Sequence, residues 1–477
     1  MLASLTGNHY LDTSQRILQM KHTLLLFCSI PFVLSANHIQ AQANRDSPVV
    51  VFERARMDSL FDLLEQRHKI MGTINLAKGG KTIYSRTIGY RSISQGDSLP
   101  NDTATRFRIG CISKIFTATM IFQLIEEGKL SLQTPLSDFF PTLPNAPKIT
   151  VGHLMSHRSG LFNVTEDSSF LQSSYQPTTE TQLLERIGHY PPLFEPGTQA
   201  GYSNTNFILL GMIVEKLTGQ SYAEALEQRI TRKIGLSHTS VGGLIDPAKD
   251  EAHSYLRWGN TWKPVRETDL SAALGVGSLI STPSDINRFL NALFHNELIH
   301  DSSLQTMTYI KDGFGMGIQP SSMESLLSYG DMGGMDSFNS MTGYLPDDDV
   351  ALTMLTNADD YDTYQIEQAV LKIYFHKPYK LIRFHPFYTQ LPVAGLGKYE
   401  GIYSSKQFPL DIKIIVDQGV LTAQAAGQNV FPLSAISWKE FHADQSGIEI
   451  DFVLEPGGTV TGFTLEQFPN TFVYTRK

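Results

Sequence analysis

The chain has 477 residues, of which 41% are hydrophobic and 18% are charged. A chain of this length buries a large core and normally folds as more than one domain, so we predict two domains. The net charge of −9 comes without any basic block, which argues against a nucleic-acid partner.

The first 43 residues have the pattern of a secretory signal peptide. A short basic start at residues 20–22 precedes an apolar run at residues 23–34, and Ala41-Gln42-Ala43 is an Ala-x-Ala cleavage site. Cleavage there predicts an exported protein, periplasmic or secreted, that begins at Asn44. A membrane anchor is the alternative, but the apolar run is shorter than the about 20 residues of a spanning helix. We therefore expect no membrane span after cleavage.

An amphipathic helix and a hairpin are predicted next. Apolar residues at helical spacing over residues 51–68 predict the helix. Residues 73–77 and 82–89 favour strands on either side of Lys78-Gly79-Gly80-Lys81, which predicts a tight turn between antiparallel strands. The large domain is thus expected to begin with a helix and a hairpin.

The segment from Phe107 to Ala118 carries a nucleophile and a lysine at the start of a predicted helix. Cys111 and Lys114 are three residues apart and so lie on one face of that helix. A helix N-terminus favours an anion, and an ammonium beside a thiol favours the thiolate. Cys28 would leave with the signal peptide, so Cys111 would be the one cysteine of the mature chain. The pattern suggests acyl transfer, and the alternative is a small buried filler.

The same segment resembles the Ser-x-x-Lys motif of the penicillin-recognising enzymes, a family of class C β-lactamases, D-Ala-D-Ala peptidases and esterases. Cys111 stands where that family has its nucleophilic serine. Residues 196–206, with Tyr202 and Asn204, resemble the family's Tyr-x-Asn motif. By this resemblance Tyr202 is the general base or proton shuttle, and Asn204 holds the substrate amide. A nearby cation lowers the pKa of a phenol, and Lys114 is expected to supply that cation.

Residues 149–161 and 275–285 resemble further segments of the family that are not catalytic. His153 and His157 in the first of them are four residues apart and could in principle bind zinc. No general-base glutamate lies between them, and no third ligand is apparent in the sequence. We therefore predict no metal and no cofactor.

The third catalytic motif is altered. The family has Lys-Thr-Gly, or a His-x-Gly variant, on the strand that lines the pocket. Residues 329–338 fit that slot, with Asp331 in place of the cation and Gly333 in place of the glycine. An acid there would repel a substrate carboxylate, so penicillins and D-Ala-D-Ala ends are not expected substrates. By position in the family, the backbone N–H groups of Cys111 and Ser337 would form an oxyanion hole.

Later elements predict a sheet built from both ends of the large domain. Strands at residues 339–345 and 350–357 flank an acidic turn and precede a helix at residues 366–375. The predicted fold class is therefore α/β (α+β), with a central antiparallel sheet flanked by helices and a helical subdomain. The resemblance implies a β-lactamase-like domain, and we place it at residues 44–380.

A linker at residues 381–395 and a small all-β module at residues 396–477 complete the chain. Short alternating runs separated by turns predict the module, as a sandwich or a barrel. It resembles the lipocalin-like tail of secreted family members, and no catalytic constellation is apparent in it.

These features together predict an exported hydrolase or acyl transferase. It would act on amide, peptide or ester substrates through a covalent acyl-enzyme on Cys111. The alternative is a degenerate family member that binds a ligand or partner without turnover, since two of the three motifs are altered. A third hypothesis makes the β-module a carbohydrate or surface binder and the large domain its scaffold.

Overall fold

The computed structural model describes residues 53–94, 96–258, 261–323, 326–379, 381, 391–425, 430–443, 447–467 and 470–477. The predicted signal peptide and most of the predicted linker lie outside these ranges. Within them, none of the helices combines the length and the apolar character that crossing a bilayer requires.

The secondary structure alternates between helices and strands up to residue 374 and is then mostly β. The α-helices are α1 (Arg54–Gln66), α2 (Ser113–Glu126), α3 (Val151–Met155), α4 (Ser168–Ser173), α5 (Glu180–His189), α6 (Asn204–Thr218), α7 (Tyr222–Leu226), α8 (Arg232–Ile234), α9 (Pro283–Phe294), α10 (Asp301–Thr308) and α11 (Thr363–Tyr374). The strands before α11 are β1 (Ile70–Lys78), β2 (Lys81–Ile88), β3 (Tyr90–Ser92), β4 (Leu99–Pro100), β5 (Phe107–Arg108), β6 (Ser240–Val241), β7 (Tyr255–Trp258), β8 (Thr261–Pro264), β9 (Leu279–Ser281), β10 (Gln319–Met323), β11 (Leu326–Met335), β12 (Phe338–Leu345) and β13 (Val350–Asp359). The strands after α11 are β14 (Gly401–Ser404), β15 (Ile412–Asp417), β16 (Val420–Ala425), β17 (Phe431–Pro432), β18 (Ser434–Ala435), β19 (Glu440–Ala443), β20 (Ile448–Leu454), β21 (Val460–Gln467) and β22 (Asn470–Arg476).

An antiparallel sheet of six strands forms the centre of the large domain. Its strand order is β10-β11-β12-β13-β1-β2, so the first hairpin pairs with a strand from the far end of the domain. Ile74 of β1 lies opposite Met354 of β13 in this pairing. Gly79 and Gly80 have φ of +56° and +70°, as the tight turn between β1 and β2 requires. The prediction of a sheet built from both ends is confirmed.

Helices cover both faces of this sheet. On one face α1 and α11 share an apolar core, to which Leu60 and Val370 belong. On the other face α2 and α9 pack together, and the rings of Phe116 and Phe289 stack with centroids 3.7 Å apart. The predicted fold class, an α/β domain with a central antiparallel sheet flanked by helices, is confirmed.

The β-module is a closed barrel. Its strand order runs β17-β16-β15-β14-β22-β21-β20-β19-β18, and only Leu433 separates the two strands at the ends of that order. One continuous segment therefore joins both edges of the sheet and closes it. Buried aromatic rings fill the interior, so it is a packed core, and the outer surface is left for any ligand. These rings belong to Tyr399, Tyr403, Phe441, Phe452, Phe463 and Tyr474.

Candidate active site

Cys111 lies on a short 3-10 turn, Gly110–Ile112, between strand β5 and helix α2. Gly110 has a φ of +49°, which lets the chain turn sharply from the strand into the helix. Cys111 is a half-buried free thiol, and Lys114 in the first turn of α2 is buried. The predicted nucleophile and lysine therefore both lie at the helix N-terminus.

The hydroxyl of Tyr202, just before α6, connects the predicted catalytic residues. Its oxygen accepts a hydrogen bond from Lys114 Nζ at 2.7 Å and lies 3.2 Å from Cys111 Sγ. The same hydroxyl donates to Asn204 Oδ1 at 2.8 Å. Lys114, Cys111 and Asn204 thus share one oxygen atom as their common partner.

His157 supports the Tyr202 ring from behind. The two rings stack with centroids 4.7 Å apart. His157 Nδ1 accepts a hydrogen bond from the backbone N–H of Ser203 at 3.2 Å. Burial, together with the charge of Lys114, holds the pKa of His157 well below its usual value, so the ring is neutral. His153 Nδ1 accepts from the backbone N–H of Thr150 at 3.3 Å. Both histidines are thus engaged in hydrogen bonds that order the local chain.

No metal centre accompanies these groups in the part of the chain that the structure describes. There, no set of three His, Cys, Asp or Glu side chains comes together in a way that could hold an ion.

Asp331 faces inward and pairs with Lys114. Its Oδ2 lies 3.2 Å from Lys114 Nζ, and the two side chains are 3% and 2% exposed. Burial alone would lower the pKa of Lys114, but the charges of Asp331, Cys111 and Tyr202 outweigh burial and raise it. Burial also raises the pKa of Asp331, against the opposing effect of Lys114. The motif predicts that Asp331 faces the substrate. In the structure the carboxyl group of Asp331 is buried and faces Lys114.

The phenol of Tyr202 is neutral at neutral pH. Burial and the charges of Cys111 and Asp331 raise its pKa well above the usual value, and Lys114 offsets only part of this increase. Lys114 does lower the pKa of this phenol, as predicted, but burial and the anionic neighbours raise that pKa by more, so the net shift is upward. A neutral phenol can relay a proton, since it both donates and accepts, but it is not a standing phenolate base.

Asn204 begins helix α6 and is held on several sides. Its Nδ2 donates to Thr165 Oγ1 at 2.9 Å, and its backbone N–H donates to Asn163 Oδ1 at 3.0 Å. A side-chain amide nitrogen carries two hydrogens, and the contact with Thr165 uses one of them. The second hydrogen of Asn204 Nδ2 can therefore donate to a substrate carbonyl.

Gly333 lies directly against the nucleophile turn. A Cβ atom at this position would come within 2.5 Å of the Cys111 nitrogen and 2.7 Å of the Ile109 carbonyl oxygen, so only glycine fits here. The next residue, Gly334, also lies near that turn, since a Cβ atom on Gly110 would lie 3.2 Å from the Gly334 nitrogen. The strand β11 thus approaches the nucleophile through its backbone.

Ser337 lies farther along, at the tip of the β11–β12 hairpin. Asp336 and Ser337 have φ of +51° and +65°, which makes a two-residue type I′ turn closed by Met335 and Phe338. The pair that closes such a turn, here Met335 and Phe338, is hydrogen-bonded. Hydrogen-bonded and non-hydrogen-bonded pairs alternate along an antiparallel ladder, so the next pair, Gly334 and Asn339, is not hydrogen-bonded. The Gly334 N–H therefore points away from β12. Strand β10 pairs only with the first half of β11 and does not cover that N–H. The Gly334 nitrogen thus lies beside the turn that carries Cys111, whereas Ser337 lies at the hairpin tip, so Gly334 is the better candidate for the second oxyanion donor.

A family model described as Beta-lactamase matches residues 57–373 of the chain. The chain belongs to this family. Among relatives, penicillin-binding protein 4* of Bacillus subtilis (strain 168) is 27% identical over 440 residues, which cover 84% of this chain and 94% of that protein. The similarity to this relative therefore extends through most of both sequences.

Two solved structures of amide hydrolases are similar to this member of the β-lactamase family. The D-stereospecific amidohydrolase from Streptomyces sp. is 27% identical, with a TM-score of 0.56 over 67% of this chain and 98% of that chain. The D-amino acid amidase from Ochrobactrum anthropi SV3, complexed with L-phenylalanine amide, is 25% identical, with a TM-score of 0.60 over 68% and 98%. By their names, both similar proteins act on amide bonds.

Proposed function

We propose that this protein is a hydrolase or acyl transferase that acts on amides, peptides or esters through an acyl-enzyme on Cys111. One observation carries the proposal. The Tyr202 hydroxyl lies 3.2 Å from the Cys111 sulfur and 2.7 Å from the Lys114 ammonium, so a proton relay and a fixed cation adjoin the thiol. A nucleophile next to a proton-transfer group and an orienting charge is the arrangement that covalent acyl transfer needs.

The reaction begins when Cys111 Sγ attacks the substrate carbonyl carbon. As the sulfur–carbon bond forms, the thiol proton passes to the Tyr202 oxygen, and Tyr202 gives its own proton to the leaving amine or alcohol. The bond to the leaving group then breaks and leaves a thioester on Cys111. Water or an amine attacks the thioester, and the relay runs in reverse to restore the thiol. Lys114 stays protonated throughout and stabilises the negative charge that develops on sulfur and phenol oxygen.

Two backbone amides complete the proposed machinery. The N–H of Cys111 lies in the first turn of a helix, where amides have no acceptor within the helix. The N–H of Gly334 points away from the β11–β12 ladder towards the same turn. Together they would stabilise the carbonyl oxygen as it becomes an oxyanion. The free N–H of Asn204 would hold the amide of the acyl part.

The proposed substrates are neutral or carry an amine. In the third motif Asp331 takes the place of the family's cation, and Lys114 is already paired with it at 3.2 Å. A substrate carboxylate would therefore find no cationic partner at this position, and we expect anionic β-lactams to be poor substrates. The similarity to amidases that act on D-configured substrates supports amides as the first class to test.

Export is part of the proposal. The basic start, the apolar run and Ala41-Gln42-Ala43 predict a signal peptide cleaved before Asn44, with a periplasmic or secreted product. Mass analysis of the mature amino terminus in cell fractions tests this. A full-length chain in the cytoplasm would contradict it.

Intact-mass analysis after incubation with a panel of amide and ester probes tests the catalytic proposal. We expect an acyl adduct on wild type, none on Cys111→Ala, and loss of the adduct after prior labelling with a thiol-directed reagent. The alternative of a binding protein without turnover is favoured by the covered Asp331–Lys114 pair. Binding of a probe with equal affinity to wild type and Cys111→Ala, without any adduct, would support that alternative.

A further inference from the structure

Arg108 lies three residues before the nucleophile and is almost completely buried. Its Nη1 donates to Asp336 Oδ2 and to the Thr268 carbonyl oxygen, both at 2.7 Å. Its Nη2 donates to the Gly243 carbonyl oxygen at 3.0 Å and to Glu267 Oε2 at 3.3 Å. Since the side chain is 1% exposed, it has no part in binding a ligand at the surface. The guanidinium instead joins strand β5 to three other segments of the chain.

Asp336 is the acidic partner and lies at the tip of the β11–β12 hairpin. Besides Arg108, its carboxylate accepts from the Thr268 N–H at 2.9 Å and from Thr268 Oγ1 at 2.6 Å. The Ser254 hydroxyl donates to its carbonyl oxygen. Both tip residues, Asp336 and Ser337, have positive φ, which is uncommon outside glycine. Asp is common at the first position of such a turn, but Ser337 stands where glycine is usual, so the side-chain contacts of Asp336 help to hold the hairpin tip.

The buried pair connects the two segments that carry the proposed oxyanion donors. Cys111 follows Arg108 by three residues on one segment, and Gly334 precedes Asp336 by two residues on the other. Two amides stabilise one oxyanion only when both lie at hydrogen-bonding distance from the same point. We propose that the Arg108–Asp336 ion pair is a positioning element that sets the separation of these two amides. This inference rests on the proposed acyl transfer and goes beyond it.

Loss of the ion pair should weaken stabilisation of the oxyanion and leave the Cys111 nucleophile intact. Asp336→Asn keeps the shape of the side chain but removes its charge, so the hairpin tip is no longer tied to β5 by an ion pair. With p-nitrophenyl acetate we expect kcat to fall by about 10- to 100-fold, since sub-ångström misplacement of a donor costs this much, while KM changes little.

Two thiol reagents give the decisive comparison. N-acetyl-phenylalaninal adds to the thiol as a hemithioacetal, whose former carbonyl oxygen occupies the oxyanion hole, whereas iodoacetamide alkylates the sulfur without using the hole. In Asp336→Asn the inhibition constant of the aldehyde should rise by the same factor by which kcat/KM falls, and the alkylation rate of Cys111 should stay at the wild-type value. A purely structural role would lower both reactivities together.

Two further variants complete the design. Asp360→Asn breaks a second, partly buried ion pair, with Lys69 at 2.9 Å, outside the site, and should leave both reactivities at the wild-type values. Arg108→Lys keeps the positive charge but removes the guanidinium that donates to Asp336 and to the Thr268 carbonyl oxygen, so it tests the same ion pair if Asp336→Asn does not fold.

The outcomes separate the inference from the proposed function. Wild-type aldehyde affinity in Asp336→Asn, or in Arg108→Lys where only that variant folds, would overturn the positioning role and leave the proposed function standing. Parallel loss of alkylation and aldehyde binding would overturn it equally. A wild-type protein that neither turns over the ester nor binds the aldehyde would overturn the proposed function, and the inference with it.

Discussion

Replacement of Tyr202 by Phe tests the proton relay most directly. The substitution removes a hydroxyl that has partners at 2.7, 2.8 and 3.2 Å and leaves the ring stacked on His157. Because the pKa of this phenol is raised, the proposed role is to carry a proton to the leaving group. A positioned proton donor contributes about 10²- to 10⁴-fold to the rate. This factor corresponds to about 3 to 5 kcal/mol of transition-state stabilisation.

The size of the effect should depend on the leaving group. An amine must be protonated before it departs, whereas p-nitrophenolate departs without a proton. We expect Tyr202→Phe to lose the full factor in kcat/KM on D-phenylalanine p-methoxyanilide, whose turnover loses both the acceptor of the thiol proton and the donor to the leaving group, and less on p-nitrophenyl acetate, whose turnover loses only the acceptor. Steady-state kinetics of both substrates, on the same preparations of wild type and variant, measure the two losses.

Tyr222→Phe is the matched control. Tyr222 is also a buried tyrosine, and its hydroxyl lies 2.6 Å from Thr117 Oγ1 of the nucleophile helix. Removing it disturbs the packing around α2 without touching the relay, so both substrates should lose little and to the same extent. Equal losses on amide and ester in Tyr202→Phe, or unchanged amide turnover, would refute the relay.

Four further predictions concern the nucleophile, the buried charges and the module. Cys111→Ala should abolish turnover, and Cys111→Ser should reduce it, because the neutral Tyr202 is a weak base for an alcohol; kcat measured on one ester decides both. Asp331→Asn should lower the free energy of unfolding by about 3 to 5 kcal/mol in urea titrations, because it leaves the Lys114 charge buried without its partner. Burial, and then the charge of Asp362, raise the pKa of Glu367 from 4.5 to about 8, so its carboxyl group stays protonated in the fold after it has ionised in the unfolded chain. Stability should therefore fall as pH rises from 4.5 to 8, and Glu367→Gln should remove up to about 5 kcal/mol of that fall. Truncation near residue 390 should leave a folded large domain by circular dichroism, and an unfolded product would place the domain boundary elsewhere.

The sequence was sufficient where function depends on spacing along one element. The pairing of Cys111 and Lys114 on one helix face follows from helical periodicity, whereas Tyr202 and Asn204 were identified by the resemblance to the Tyr-x-Asn motif. The hairpin β1–β2 was predictable for the same reason, since its turn residues show directly which conformation they favour. The two ends of the large domain were placed in one sheet from their strand patterns alone.

Features that depend on distant contacts were not predictable. The choice between Gly334 and Ser337 depends on where the hairpin turns, and Asp336-Ser337 lacks the glycine that usually indicates a type I′ turn. The inward orientation of Asp331 and the raised pKa of Tyr202 depend on burial, which a single motif does not reveal.

The role of His157 also depends on a contact between distant parts of the sequence. The segment that contains it was noted for a possible metal pair, but its contact with the Tyr202 ring joins positions far apart in the sequence. A histidine four residues from another gives no indication that a buried aromatic ring will stack on it.

The order of strands in the barrel has a consequence for biosynthesis. β22, the last of its strands to leave the ribosome, pairs with β14, the first, and with β21. Until β22 emerges, both of those neighbours keep an open edge, and open edges are where chains associate wrongly. Pairing across the whole module also raises the contact order and slows folding. The barrel should therefore complete its folding only after translation of β22, and stalled chains that end before it should aggregate.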